Sequence, residues 1–392
     1  MRLAKISLAV LLSLSLFSCK KKTIDKTTSN NTTTRNNVTT NNVTTKKNTT
    51  TKSKTTTKQN VTTNSVEEKL YKREGNTIYF GSYPQMLEKD ESIIEELNSL
   101  TGTLPTMTSN GDWKDYFYYT GGQNGIYEIS PGCFKKSDYS YAQMWYKDID
   151  YDNDSRYDYR GVYFLQYRSV STQGSSSGSA PQYNQYKNGY SIDNVYWFKY
   201  EPIKWNILEE KNGKAMLISD LIIDSQQYYA TEMDDETGLA VQPGIIYENN
   251  YELSDIRKWL NDDFYNTVFI DLEREIIETT TVDNSANTFQ NYYKDLECNN
   301  TDDKVFLLSY QEAVSYYQEN EDRITLGTDY ALSQGLTQGV NSQGIEGAFW
   351  FLRSPYAPYR YAVSMVYYNG AIMKDAVIFT FYGIRPALWI KL

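Results

Sequence analysis

The 392-residue chain has no histidine. That absence removes imidazole general bases, Ser-His and Cys-His nucleophile pairs, and histidine-ligated metal centres. Cysteine is scarce as well: the three residues are far apart, too few for a Cys-rich zinc site or a dense disulfide scaffold. Positive charge is in deficit, with 39 Lys and Arg against 49 Asp and Glu and a net charge of -10, which argues against a nucleic-acid binder that needs a basic face. No phosphate loop occurs. The apolar run from Ile6 to Phe17 is too short to span a bilayer comfortably.

What that run does fit is a processing signal. Arg2 and Lys5 precede it, and it ends Leu16-Phe17-Ser18-Cys19. This resembles the lipobox of bacterial lipoproteins, which implies removal of residues 1–18 and acylation of Cys19. Several acyl chains on one residue give stable anchoring to a membrane without crossing it. The expected partner of this end is therefore a lipid bilayer, and the expected place is the bacterial cell envelope, facing outward.

Residues 20–65 change character. Thr and Asn fill 27 positions, Asn-Asn-Val-Thr-Thr occurs at 36–40 and again at 41–45, and almost nothing is apolar. Such a segment cannot offset its ordering entropy, so 19–65 reads as a lipidated Cys followed by a disordered tether. Its reach as a flexible coil is roughly 35–40 Å. The tether carries +9 and residues 66–392 carry -21, which suits attraction of the tether to anionic lipid or serves solubility alone. Asn37 and Asn42 open Asn-Val-Thr sequons.

All 37 Tyr lie beyond the tether. Strand patterns occur at 77–80, 161–167, 195–199, 203–208, 305–308, 361–367 and 387–390. Asn212-Gly213 between two apolar runs predicts a hairpin over 202–223. Helical spacing occurs at Leu87–Leu100 and at Ser254–Phe264, and Ser309-Tyr310-Gln311-Glu312 fits a capping box. Helices separated by strand groups predict an α+β fold: a single mixed domain over 66–392, with a loop-rich insertion at about 102–194.

The head also resembles a family of bacterial extracytoplasmic domains of unknown function. The resemblance rests on Tyr79-Phe80-Gly81-Ser82-Tyr83-Pro84-Gln85, Pro202-Ile203-Lys204-Trp205, Ile256-Arg257-Lys258-Trp259-Leu260-Asn261 with Phe264, Trp350-Phe351-Leu352-Arg353-Ser354-Pro355, and Gly383-Ile384-Arg385-Pro386-Ala387-Leu388. Its last third is similar in style to C-type-lectin-like and formylglycine-generating-enzyme domains, which implies a lectin-like α+β fold. The reactive Cys pair of those enzymes has no counterpart here, so their activity is not implied.

Several residue groups qualify as sites. The insertion is crowded with aromatics, among them Tyr118, Tyr119, Trp145, Tyr146, Tyr157 and Tyr159, which suit sugar stacking or protein contact when exposed and packing when not. Trp350, Arg353 and Arg385 lie beside apolar strands, as ligand contacts or as structural groups paired with carboxylates or carbonyls, Asp220 being a candidate partner. Asp150, Asp152, Asp154 and Asp158 alternate as in a calcium loop, although Ser155 and Gly161 replace the Gly and Glu of an EF-hand; calcium is the one cofactor this suggests, and a solvated acidic loop is the alternative. Cys133 and Cys298 are a candidate disulfide outside the cytoplasm. No residue set stands out as catalytic. The expected function is that of a non-enzymatic lipoprotein binding an extracellular glycan or protein ligand. The alternatives are an envelope assembly protein, or a hydrolase using a carboxylate pair.

Overall fold

The computed structural model describes residues 70–106, 109, 111–116, 126–130, 133–136, 144–165, 167–168, 181–229 and 247–392. The signal, Cys19, the tether, Tyr118 and Tyr119 lie outside the described residues, as does the side chain of Cys133.

The head is organised by one long strand, Val195–Lys211. Val, Tyr, Trp, Phe and Ile supply its β-branched and aromatic side chains, which favour a pleated, half-buried surface. Its middle pairs antiparallel with Thr77–Leu87, from Thr77 opposite Asn206 to Leu87 opposite Phe198. Its other edge is shared: the first half pairs with Tyr159–Phe164 and the second half with Lys214–Ser219. The turn between Lys211 and Lys214 is Asn212-Gly213, and both residues take positive φ (52° and 72°), the conformation of a type I′ hairpin whose twist matches the strands it joins. Met144–Ile149 and Lys114–Asp115 extend one flank of the sheet, and Ala387–Lys391 closes the other against Lys214–Ser219. A second sheet runs Asp224–Ser225, Gly383–Ile384, Trp350–Pro355, Ala362–Val366, Ile372–Ala376. Together the strands curve into a half-barrel.

The α+β, lectin-like expectation is therefore corrected: among the described residues strand takes 36% against 20% for helix, which makes the fold β-rich. The helices foreseen at 87–100, 254–264 and after Ser309 do form, but as short pieces, Glu91–Ser99, Asp255–Val268 in three segments, and Tyr310–Tyr316. Tyr-rich segments with weak periodicity became strands instead. Met144–Ile149, inside the stretch expected to be loop-rich, is a hydrogen-bonded member of the main sheet, beside Tyr159–Phe164, which overlaps the strand expected at 161–167.

One continuous apolar core, including Trp205, Phe198, Leu217, Tyr228, Phe264, Trp350 and Ile390, joins both sheets. Gly81 sits at a bulge in Thr77–Leu87, where the register with the long strand slips between Phe80 and Ser82. Its φ is +65°, and a Cβ there would lie 2.6 Å from the side chains of Val268 and Phe269. Only glycine lets the strand turn here while the end of the 255–268 helix packs against it.

Candidate functional site

Where the curved sheet meets the helix Asp255–Val268, a cavity of about 490 Å³ opens. Its walls are aromatic: Tyr83 from the strand Thr77–Leu87, Tyr116 just beyond Lys114–Asp115, Tyr146, Tyr330 from the helix Asp329–Ser333, and Trp259 and Phe264 from the facing helix. The rings pack edge to face, Tyr83 with Phe264 at 5.4 Å between centroids and with Tyr330 at 5.5 Å. Tyr116 and Tyr146 lie 4.9 Å apart.

At its base is a largely buried charged group. Arg160 is buried and forks onto Asp148, Nε to Oδ1 at 2.6 Å and Nη2 to Oδ2 at 3.0 Å. It also donates to the hydroxyls of Tyr200 (2.8 Å) and Tyr330 (3.2 Å), and Tyr330 donates in turn to Tyr116 at 3.2 Å. The guanidinium carbon stands 4.4 Å from the centre of the Tyr146 ring, a cation–π contact. Burial is the largest single influence and opposes the charge, but the Asp148 carboxylate together with Tyr200 and Tyr330 outweighs it and holds Arg160 firmly protonated. Asp224 is also buried, accepts from the Tyr83 hydroxyl at 2.6 Å and from the Ser225 backbone at 2.6 Å, and has its carboxyl pushed up by desolvation. The side-chain oxygen of Gln226, another lining residue, is buried without a hydrogen-bond partner among the described residues.

The mouth carries charge of both signs, the exposed Lys114 and two aspartates. Asp262 and Asp263 are exposed and belong to Leu260–Phe264, which is wound as a π-helical turn between two α-helical pieces. Such turns widen the helix by one residue and recur at binding sites. Here the widening places Trp259, Asp262, Asp263 and Phe264 on one cavity wall. Chemically, the site offers ring faces, tyrosine hydroxyls and a fixed carboxylate–guanidinium pair, suited to a group that is apolar on its faces and hydrogen-bonding at its edges.

The residues singled out in the sequence are dispersed. Tyr146 lines the cavity, but Trp145 points to the opposite face, as the two-residue period of a strand requires, and packs with Trp113 and Tyr163. Tyr157 is exposed beside Tyr200, with centroids 5.9 Å apart. Tyr159 donates its hydroxyl to Glu88 at 3.2 Å, and burial, with the Glu88 charge, pushes that hydroxyl up to about 12. Trp350 is fully buried in the core, so its ring is not presented to a ligand. Arg353 is buried too, forked onto Glu312 and donating to the carbonyls of Leu307 and Asp283; it acts as a staple, not a ligand contact. Arg385 lines a different cavity.

Asp150, Asp152 and Asp158 do gather, each offering an oxygen within 4.8 Å of the others, whereas Asp154 is not part of that group. Their oxygens accept the backbone N–H groups of Tyr151, Asp152, Asp154 and Ser155, so the loop is already knit by its own amides. Cys298 is half-buried, with burial pushing its thiol up.

Sequence reasoning missed Arg160, Asp224 and Tyr330 altogether. Tyr83, Trp259 and Phe264 were visible only as members of the segments 79–85 and 256–264, which meet at this cavity. Residues 212–392, slightly under half of the chain, match a family described as a domain of unknown function (DUF6273). The matched stretch contributes Asp224, Gln226, Trp259, Asp262, Phe264 and Tyr330 to the cavity, while Tyr83, Tyr116, Tyr146 and Arg160 precede it. No curated protein and no solved structure matches the chain.

Proposed function

We propose that the protein is an envelope lipoprotein, held by acyl chains on Cys19, whose head binds an extracellular glycan or protein ligand by taking one of its groups into the tyrosine-walled cavity. The observation that carries this reading is the cavity: at about 490 Å³ it has the size of a small-molecule site, with aromatic walls and a few convergent polar groups. The anchor is supported by the sequence alone, by the short apolar run that ends at Cys19. Among the described residues no helix is long and apolar enough to cross a membrane.

The binding test uses glycan and matrix-protein arrays with residues 66–392, which form one compact unit around a continuous core. At least one ligand is expected to bind, and Tyr146→Ala is expected to weaken it by about tenfold or more, the usual effect of losing a packed aromatic anchor. No binding by the folded fragment, or binding indifferent to Tyr146, contradicts the proposal. The anchor is tested by palmitate labelling of cells: the full chain should incorporate label and Cys19→Ser should not.

A second reading has one observation in its favour. Asp224, with its carboxyl pushed up, shares the cavity with Asp262 and Asp263, and carboxylates in unlike environments are the arrangement of acid–base hydrolases. Multiple turnovers of a bound ligand would favour it over simple binding.

A further inference from the structure

On another part of the head, between the strand Val195–Lys211 and the segment 316–326, lies a second cavity of about 570 Å³. Arg385 lines it and is 3% exposed. Its Nε donates to the Ser219 carbonyl at 2.9 Å, and its guanidinium carbon is held 5.1 Å from the centre of the Trp350 ring and 5.4 Å from that of Tyr317. Its Nη1 is buried and has no hydrogen-bond partner among the described residues. The hydroxyl of Tyr317, which lines the same cavity, is also buried without a partner at hydrogen-bonding distance among the described residues; the Arg385 guanidinium, itself a donor, is the charged group beside it.

Two buried donors without acceptors beside one hole are unusual. Buried polar groups are nearly always paired, and an unpaired guanidinium N–H costs more than an unpaired neutral one. The neighbouring carboxylate does not resolve this. Asp220 is engaged by Lys204 at 2.9 Å and by the Asn206 side chain at 2.7 Å. Two further carboxylates, Asp322 and Glu346, are exposed at the rim. They disfavour a strong anion, yet they can accept from hydroxyl groups. Tyr317 and Leu326 add ring and aliphatic surface. The set is complementary to a neutral molecule that carries many oxygens, accepts at its inner end and donates at its outer end.

We propose that this cavity is a binding site for a neutral polyhydroxylated ligand, a sugar unit, whose oxygens accept hydrogen bonds from Arg385 and Tyr317. The site is separate from the tyrosine-walled cavity and does not depend on it. The alternative occupant is water alone, which would satisfy both donors without a ligand.

The experiment uses the full chain and calorimetric titration with glucose, galactose and N-acetylglucosamine, with sodium phosphate and sodium acetate as anion arms. At least one sugar should bind and neither anion should. Tyr317→Phe keeps the ring and removes the orphaned hydroxyl. It should weaken the sugar about tenfold while leaving the thermal midpoint of the ligand-free protein equal to or above that of the parent, because a buried unsatisfied group is lost. Tyr146→Ala should leave this binding unchanged. Absence of sugar binding, preference for phosphate or acetate, sugar binding indifferent to Tyr317→Phe, or a lowered midpoint in that variant would each overturn the proposal, the last by showing that water or protein already satisfies the hydroxyl.

Discussion

Exchanging Arg160 for Met is expected to destabilise the head by about 3–5 kcal/mol, the cost of breaking a buried ion pair on one side only. Asp148 is then stranded: its side chain is 6% exposed, and both its oxygens face the vacated guanidinium. The hydroxyls of Tyr200 and Tyr330 lose a donor at the same time, and the Tyr146 ring loses the cation against its face. The loss should exceed that from Asp148→Asn with Arg160→Met combined, since the double change removes both charges together and leaves no buried ion uncompensated. Urea unfolding of the three variants separates the terms. A single change at Arg160 costing under about 1 kcal/mol would mean the pair is solvated, because exposed pairs contribute that little.

The second large effect is expected at Glu312. It completes the capping box of Tyr310–Tyr316, accepting from the Ser309 backbone at 2.8 Å, and it forks onto Arg353 of the strand Trp350–Pro355. Glu312→Gln keeps the shape but removes the charge opposite a buried guanidinium. The loss should be about 2–3 kcal/mol, below the value for a fully buried pair because 35% of the Glu312 side chain meets solvent. The same pair gives stability a pH dependence. Burial pushes the Glu312 carboxyl up, but Arg353 and the Ser309 hydrogen bonds outweigh it and hold the carboxyl below its ordinary value of 4.5. The ion pair therefore contributes fully above pH 4.5, and its contribution is lost as pH falls through the depressed value. Urea midpoints measured from pH 7 downward should show a drop below pH 4.5 that is smaller in Glu312→Gln; parallel curves would contradict this assignment.

Local signals were legible in the sequence and global balance was not. Asn212-Gly213 specifies its turn by backbone chemistry alone, and Ser309 with Glu312 specifies a helix start, so both appear where expected. Met144–Ile149 carries a run, Met-Trp-Tyr, that is apolar on both faces, and no two-residue alternation marks it as a strand; it is buried toward both the core and the Trp113 cluster. That is why the helix-to-strand ratio was misjudged. The cavity was harder still. Arg160 and Tyr330 are 170 residues apart in the chain and meet only because the sheet curves. Arg353 and Trp350 stood out by their motif, but a motif of large and charged side chains serves a core as readily as a surface.

The central claim is that the head holds its ligand among the tyrosines above Arg160. It is tested most directly by a crystal structure of residues 66–392 bound to the strongest ligand from the arrays. The account predicts ligand density between Tyr146 and Trp259, within hydrogen-bonding distance of a tyrosine hydroxyl. Density at a different surface, with this cavity holding water alone, would contradict it.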